Sequence, residues 1–351
     1  MKALYWDGSG SLEWREVSRP AIASPTDALV RPLAVSTCDL DQVIVHADRP
    51  VPGSEQPFAI GHEGVGEVIE VGPAVRAIRT GDVVAISYHI SCGACDRCHE
   101  HRPLFCRTTH DGTIATYGIP IGRDYGGLFS ELVHVPFADQ TLVPLPPNVS
   151  PLEAVSVGDN LTDAWRTVAP FLAKRPGVDV LILASGSIGL YAADIARASG
   201  ARNVLYVDAD LARCELAERL GANACLPAEL DPAAHQFAIT VNAAADPTGG
   251  TLRTCLLATE PDGVCVNTSR HFTDPQMPLL HMFLNCLTLT GGLSHARTNM
   301  PAVLDLIAGG HISPGLIATD VLPFDTAADA IPTAGFKPVF VRDPTMSRSS
   351  V

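Results

Sequence analysis

The sequence predicts an α/β protein of two domains, one β-rich and barrel-like, the other built on a doubly wound parallel sheet. Three observations carry this. Residues 1 to about 150 are rich in Val, Gly and Pro, with short alternating runs such as 66–72 and a turn leading into a strand at 81–86. From about residue 151 the pattern becomes buried strand, turn and helix in alternation, which builds a parallel sheet with helices on both faces. A chain of 351 residues is also long enough for two domains, each with its own core.

With 46% hydrophobic and 18% charged residues the chain is globular. A formal net charge of −14 argues against nucleic acid and anionic membrane as partners. No signal peptide is expected, because residues 1–8 meet charge and glycine too soon. The longest apolar stretch, 178–195, is interrupted by Asp179, Ser185, Gly186, Ser187 and Asp194 and is unsuited to spanning a bilayer. Ten cysteines in such a chain read as metal ligands or core thiols, not disulfides, and a cytoplasmic location is expected. Cys214, Cys225, Cys255, Cys265 and Cys286 lie in apolar segments and are expected to be packed in the core.

The other five cysteines fall into metal-like arrangements. Cys92, Cys95 and Cys98 are each three residues apart, and Cys106 follows after seven more, within a lobe at 88–110. Four thiolates so close in sequence can close a tetrahedral zinc site with no open position, which is structural. An iron–sulfur cluster of the ferredoxin type has its fourth cysteine after three residues and then a proline, whereas here Arg107 follows Cys106. His99 and His101 read as solvated neighbours of this site.

In the second domain, 178–184 is a run for a strand buried on both faces, and Ser185, Gly186, Ser187, Ile188 and Gly189 make a turn. Helical spacing follows over 190–198, then a strand at 203–207 ending at Asp208, then a helix at 211–220 stopped by Gly221. Further strands are expected at 238–242, 264–268 and 287–290. Gly186 and Gly189 stand where a dinucleotide fold turns its backbone toward a pyrophosphate, and Asp208 where an acid meets the ribose hydroxyls, although Ala184 replaces the usual first glycine. Ala209 and Asp210 follow Asp208 with no adjacent base, which favours NAD over NADP.

Glycines flank His62-Glu63 in the stretch 61–66 and are expected to let the backbone approach a bound ion. Cys38 lies upstream and Asp159 far downstream. A thiolate, an imidazole and a carboxylate can hold zinc as three protein ligands with the fourth position open. Each also has an ordinary reading: Cys38 a packed thiol, His62 a core histidine, Asp159 a helix N-cap.

Taken with Gly81-Asp82-Val83-Val84, the four-cysteine lobe, the unit at 178–189 and Lys337-Pro338-Val339, these residues stand in the order found in the zinc-containing medium-chain alcohol dehydrogenases, which the chain resembles over nearly its whole length. The resemblance implies a GroES-like catalytic domain from 1–150 and 297–351, with a Rossmann NAD-binding domain at 151–296. It implies two zinc ions, the catalytic one held by Cys38, His62 and Asp159, with Glu63 a neighbour able to enter the shell. Gly186, Ser187, Ile188, Gly189 and Asp208 would bind the cofactor, and Lys337 would approach its phosphates. The implied activity is that of a zinc-dependent, NAD(P)-dependent alcohol dehydrogenase acting on a small or medium alcohol, or on the matching aldehyde or ketone. Zinc would polarise the substrate oxygen while the nicotinamide exchanges hydride. A homodimer or homotetramer is expected by the same resemblance.

Several positions depart from the family. Leu40 replaces the Ser or Thr that starts a proton relay, Val43 replaces a histidine, and Asp163 stands where a threonine is common. Asp39 brings negative charge where Arg or Gly is usual near the cofactor phosphates. A rerouted relay is one reading, with Asp163 its first candidate and His46 its second; the plainer reading pairs Asp163 with Arg166. Three other functions are open: a divergent reductase, a non-catalytic NAD-binding relative, and a zinc-ribbon nucleic-acid binder, the last opposed by the acidic charge. Leu40 and the apolar segment 114–121 point to a greasy pocket.

Overall fold

The computed structural model describes residues 1–46, 51–120, 123–233, 236–271 and 273–343; the tail expected to fray at 347–351, and Ile121 of the apolar segment, lie outside them. The chain divides into two units. The first is 1–162 with 295–308 and 318–351; the second is 163–294 with 309–317. The first break thus falls at 162, some way past the composition change near 150, because the segment that carries Asp159 packs with the β-rich unit.

The first unit is built on a seven-stranded sheet. Its order is Leu142–Pro144, Val83–Ile86, Glu63–Val71, Ala28–Ser36, Pro338–Val341 and Asp320–Pro323, with Val133–Val135 also paired to Ala28–Ser36. A second sheet joins Leu12–Glu16, Lys2–Trp6 and Phe58–Ala59. Alternation supplies the core: Val30, Val68 and Ile86 point inward with Leu4, Ile60, Phe129 and Phe340, all of them fully buried. The pairing that matters for function is antiparallel, Ser36 opposite Glu63. It brings the chain just after one strand (Cys38) beside the chain just before the other (His62).

The second unit is a six-stranded, all-parallel sheet ordered Asn223–Cys225, Asn203–Val207, Asp179–Ala184, Phe237–Ala243, Thr259–Asn267 and Thr288–Gly291. Numbered along the chain this is 3-2-1-4-5-6, the order of a dinucleotide-binding sheet. Val180, Leu181 and Ile182 are wholly buried, as a strand covered on both faces requires. The strand Asn223–Cys225 has no apolar run to announce it and was not foreseen. Helix Ser187–Ala198 starts three residues earlier than its periodicity showed, with Gly186 at its N-cap. A Cβ on Gly189 would lie 2.2 Å from the Cβ of Ala184, so only glycine lets this helix pack so closely on its strand.

All ten cysteines are free thiols; Cys225 is only half-buried, and Cys214, Cys255 and Cys265 are buried as expected. Cys286 is not: it is exposed, at φ 52°, just past the helix Leu279–Leu284. That helix turns Leu279, Leu280, Phe283 and Leu284 outward, so the apolar sequence around Cys286 marks a surface and not a core. Among the described residues, no helix is long and apolar enough to cross a membrane.

Candidate metal centres and dinucleotide site

In the first unit the side chains of Cys38, His62 and Asp159 converge, their donor atoms all within 4.8 Å of one another. Cys38 follows the strand Ala28–Ser36 and caps the helix Asp39–Val45, its Sγ accepting from Leu40 N at 3.2 Å. His62 enters from the start of Glu63–Val71, and Asp159 from the start of Asn160–Leu172. His62 Nε2 lies 3.4 Å from Asp159 Oδ2. Zinc–nitrogen and zinc–oxygen bonds of about 2.0–2.2 Å at a tetrahedral angle put their outer atoms about 3.4 Å apart.

The chemistry of the donors also fits a cation. His62 is buried, yet neither ring nitrogen has a hydrogen-bond partner. Burial pushes both the Cys38 thiol and the Asp41 carboxyl up. A divalent cation supplies the positive charge that keeps a thiolate and a carboxylate ionised in such a place. Asp41, passed over in the sequence, belongs to this arrangement: its Oδ2 accepts from Cys38 N at 2.8 Å, and its Oδ1 lies 3.8 Å from His62 Nδ1. It stands behind the ring, too far for a hydrogen bond but close enough to act on it through its charge. Its spacing of three from Cys38 was the available signal.

The glycines around His62-Glu63 serve a different purpose from the one expected. A Cβ on Gly61 would meet Phe129 Cδ2 at 2.7 Å, and one on Gly64 would meet Leu128 Cδ1 at 3.0 Å and the Ala34 carbonyl at 3.1 Å. The space they free is taken by neighbouring protein and not left for an ion.

Glu63 and Lys337 form a buried ion pair, Nζ to Oε2 at 2.5 Å, with neither side chain exposed. Ser156 Oγ donates to the same oxygen at 2.7 Å, and Lys337 also donates to the Thr37 carbonyl at 3.0 Å. Lys337 is therefore neither an ordinary solvated lysine nor a cation presented at a surface to phosphates. Its charge goes to Glu63, whose carboxyl burial raises, against the pull of Lys337, to about 7. Glu63 Oε1 is left without a partner beside His62.

The four lobe cysteines also converge, all within 4.8 Å, with Cys95 Sγ 3.6 Å from Cys98 Sγ and 3.9 Å from Cys106 Sγ. Tetrahedral zinc–sulfur bonds of about 2.3 Å set neighbouring sulfurs about 3.8 Å apart. Cys92 N donates to Cys106 Sγ, and Ala94 N to Cys92 Sγ, as backbone amides do around bound thiolates. His99 and His101 are exposed and outside this group of donors.

In the second unit, Gly186, Ser187, Ile188 and Gly189 form the N-terminal end of the helix Ser187–Ala198, whose first N–H groups make an anion site. Ser185 Oγ accepts from Ala245 N at 2.8 Å, tying together the loops after strands one and four, where the strand order reverses. A cavity of about 280 Å³ opens there, lined by Leu183, Ala184, Val207, Leu230 and Thr251 among others.

Asp208 is not an unpaired acid in this arrangement. Arg213 grips it with two hydrogen bonds, at 2.7 and 2.8 Å, and Tyr206 donates to it at 2.8 Å. Ala209 and Asp210 alone favour NAD, but one helical turn further Arg213 cancels the charge of Asp208. Asp163 pairs with Arg166 Nε at 2.5 Å, the plainer of its two readings. His46, exposed at the C-cap of Asp39–Val45, and the buried Leu40 complete the positions around the altered relay.

The comparisons with known proteins agree with this geometry. The alcohol dehydrogenase GroES-like domain pattern matches residues 24–147, and the zinc-binding dehydrogenase pattern matches 187–309. A protein of Mycobacterium tuberculosis, named a probable zinc-binding alcohol dehydrogenase, is 29% identical over 345 residues, covering 95% of this chain and 85% of its own. The alcohol dehydrogenase of Thermus sp. ATN1 superposes with a TM-score of 0.87 at 28% identity, over 97% of this chain and 99% of its own. A Sinorhizobium meliloti protein described as a zinc-binding dehydrogenase, solved with NADP bound, gives 0.81 at 25% identity over 97% and 98%. Fold and donor sets thus define an oxidoreductase of the zinc-binding dehydrogenase type. The chain belongs to the medium-chain dehydrogenase/reductase family, among its zinc-binding alcohol dehydrogenases.

Proposed function

We propose that this chain is a zinc-dependent dehydrogenase exchanging hydride between NAD(H) and a small alcohol or its carbonyl counterpart. The observation that carries the reading is the convergence of Cys38, His62 and Asp159, with atoms spaced as a tetrahedral cation would space them. When bound, zinc is a Lewis acid for the substrate oxygen and the nicotinamide is the hydride carrier. The chain's own residues do the rest. Cys38, His62 and Asp159 present three donors, and the Asp41 carboxylate stands 3.8 Å behind the imidazole as a second negative charge. Lys337 and Ser156 hold Glu63 by one oxygen, so the other stays beside the donors without being committed to them. The buried Leu40 contributes no proton step. The four lobe cysteines hold a second, structural zinc.

NAD(H) is the proposed cofactor, with the Asp208–Arg213 pair reducing its margin over NADP(H). The ten free cysteines fit a reducing compartment, and the cytoplasm is the proposed location. We propose a homodimer joined at the strand Thr288–Gly291, the outer strand of its sheet, beside the outward Leu280, Phe283 and Leu284. Identical edges related by a two-fold axis pair with themselves and cover apolar surface on both copies.

The test is metal content together with turnover. Zinc-loaded protein should hold about two zinc ions per chain, one lost in Asp159→Ala, and should reduce NAD on a panel of alcohols. Protein that binds NAD but turns over no alcohol or carbonyl would instead be a non-catalytic relative.

A further inference from the structure

Arg297 stands in the first turn of the helix Ala296–Ala308, an end where the helix dipole disfavours a cation and where no acidic residue accompanies it. Its side chain is half-buried, and burial pulls its pKa down. Its Nε is buried without a hydrogen-bond partner. A guanidinium is desolvated only where an anion or a set of acceptors repays the cost.

Its neighbour has the same deficit. The backbone N–H of Arg297 donates to His89 Nε2 in a long bond of 3.5 Å, which assigns the proton of the neutral ring to Nδ1. His89 is 1% exposed, and that Nδ1 has no partner. Burial, followed by the charge of His295, lowers His89 to about 3, so the ring is neutral. Ser91 and Thr116, the latter directly across from His89 in an antiparallel bridge, carry buried hydroxyls without partners. The segment adjoins the proposed zinc donors: Tyr88 N donates to the Gly158 carbonyl at 3.1 Å, next to Asp159, and the charges of Asp159 and Arg297 both reach the His89 ring.

We infer that Arg297, with His89 beside it, forms an anion subsite that takes a carboxylate of the substrate. The substrate is then a hydroxy acid, and the product the corresponding oxo acid. This deepens the dehydrogenase reading above and rests on it. A carboxylate is favoured over a phosphate because one guanidinium and neutral donors match a single negative charge, and a carboxylate offers only acceptors to N–H donors that lack them. In turnover the hydroxyl-bearing carbon would pass hydride to NAD and the hydroxyl proton would leave to water, so that hydroxy acid and NAD become oxo acid, NADH and a proton while the carboxylate is unchanged.

Calorimetry of the zinc-loaded protein tests the subsite without turnover. The probes are butanoate, its neutral counterpart butyramide, and inorganic phosphate. Butanoate should bind about tenfold or more tighter than butyramide, lose that advantage in Arg297→Gln and keep part of it in Arg297→Lys. Equal or absent binding of butanoate and butyramide, or an unchanged advantage in Arg297→Gln, overturns the subsite; phosphate binding tighter than butanoate overturns the carboxylate. The kcat/KM ratio of 3-hydroxybutanoate to 2-pentanol is the second readout, and should fall by about tenfold or more in Arg297→Gln. If neither alcohol turns over while butanoate binds through Arg297, the dehydrogenase reading fails and the subsite stands. If both alcohols turn over equally and butanoate does not bind, the reverse holds.

Discussion

Lys337 Nζ lies 2.5 Å from Glu63 Oε2 with both side chains wholly out of solvent, a contact between residues 274 positions apart in the chain. Removing one partner of a buried pair leaves the other charge without compensation, typically costing about 3–5 kcal/mol. Lys337→Met should therefore lower the denaturant midpoint sharply. The double variant Lys337→Met with Glu63→Gln should recover most of the loss, because no bare charge is left behind. Equal midpoints for Lys337→Met and the wild type would show that the pair is not formed in solution.

Arg213 decides how Asp208 meets a cofactor. In Arg213→Gln the carboxylate loses two of its hydrogen bonds and its counter-charge, and becomes repulsive to a 2′-phosphate. The ratio of Kd for NADP to Kd for NAD should rise by about tenfold, equivalent to about 1.4 kcal/mol. A ratio that stays put, measured by fluorescence titration, would mean that Asp208 does not face the ribose.

Asp163 is held by the Arg166 guanidinium, and the expectation is that it takes no substrate proton. Asp163→Asn should leave kcat within about twofold of the wild type and the pH–rate profile unmoved, general-base loss being worth about 10²-fold or more. A large fall in kcat with little change in KM would restore the relay.

His89 gives a pH dependence with a definite sign. Its folded pKa, about 3, lies below the ordinary value of 6.5, so the unfolded chain binds the proton more readily. Stability from this residue is complete above pH 6.5 and is lost as the pH falls from there toward 3. Between pH 7.5 and 5.5 the loss is about 1.4 kcal/mol. His89→Asn should remove that part of the slope in urea unfolding; parallel curves for variant and wild type would contradict a neutral buried ring.

The outward Phe283 belongs to the proposed self-contact. Phe283→Glu should convert the dimer to monomer in sedimentation at micromolar concentration, with the thermal midpoint of the monomer little changed. A wild type already monomeric would remove the interface.

Some of this was legible in the residues and some was not. The four lobe cysteines could be read because every donor lies within fifteen positions, so chain geometry alone forces them together. The strand Asp179–Ala184 was plain because burial on both faces demands an unbroken apolar run. Asn223–Cys225 was not, since a short outer strand needs no such run. The apolar residues around Cys286 were misjudged for a related reason, because hydrophobic sequence reports apolar surface to be covered without saying what covers it.

The donors and the frame could be read from the residues alone: a thiol, an imidazole and a carboxyl in a familiar order, four clustered cysteines, and a glycine turn between strand and helix. How each charge is matched came from packing in three dimensions. It gave Lys337 to Glu63, Arg213 to Asp208 and Arg166 to Asp163, and among the described residues it set no carboxylate against Arg297. A buried charge must be matched by whatever stands within a few ångströms of it. Those neighbours are set by sheet register and helix packing, not by distance along the chain.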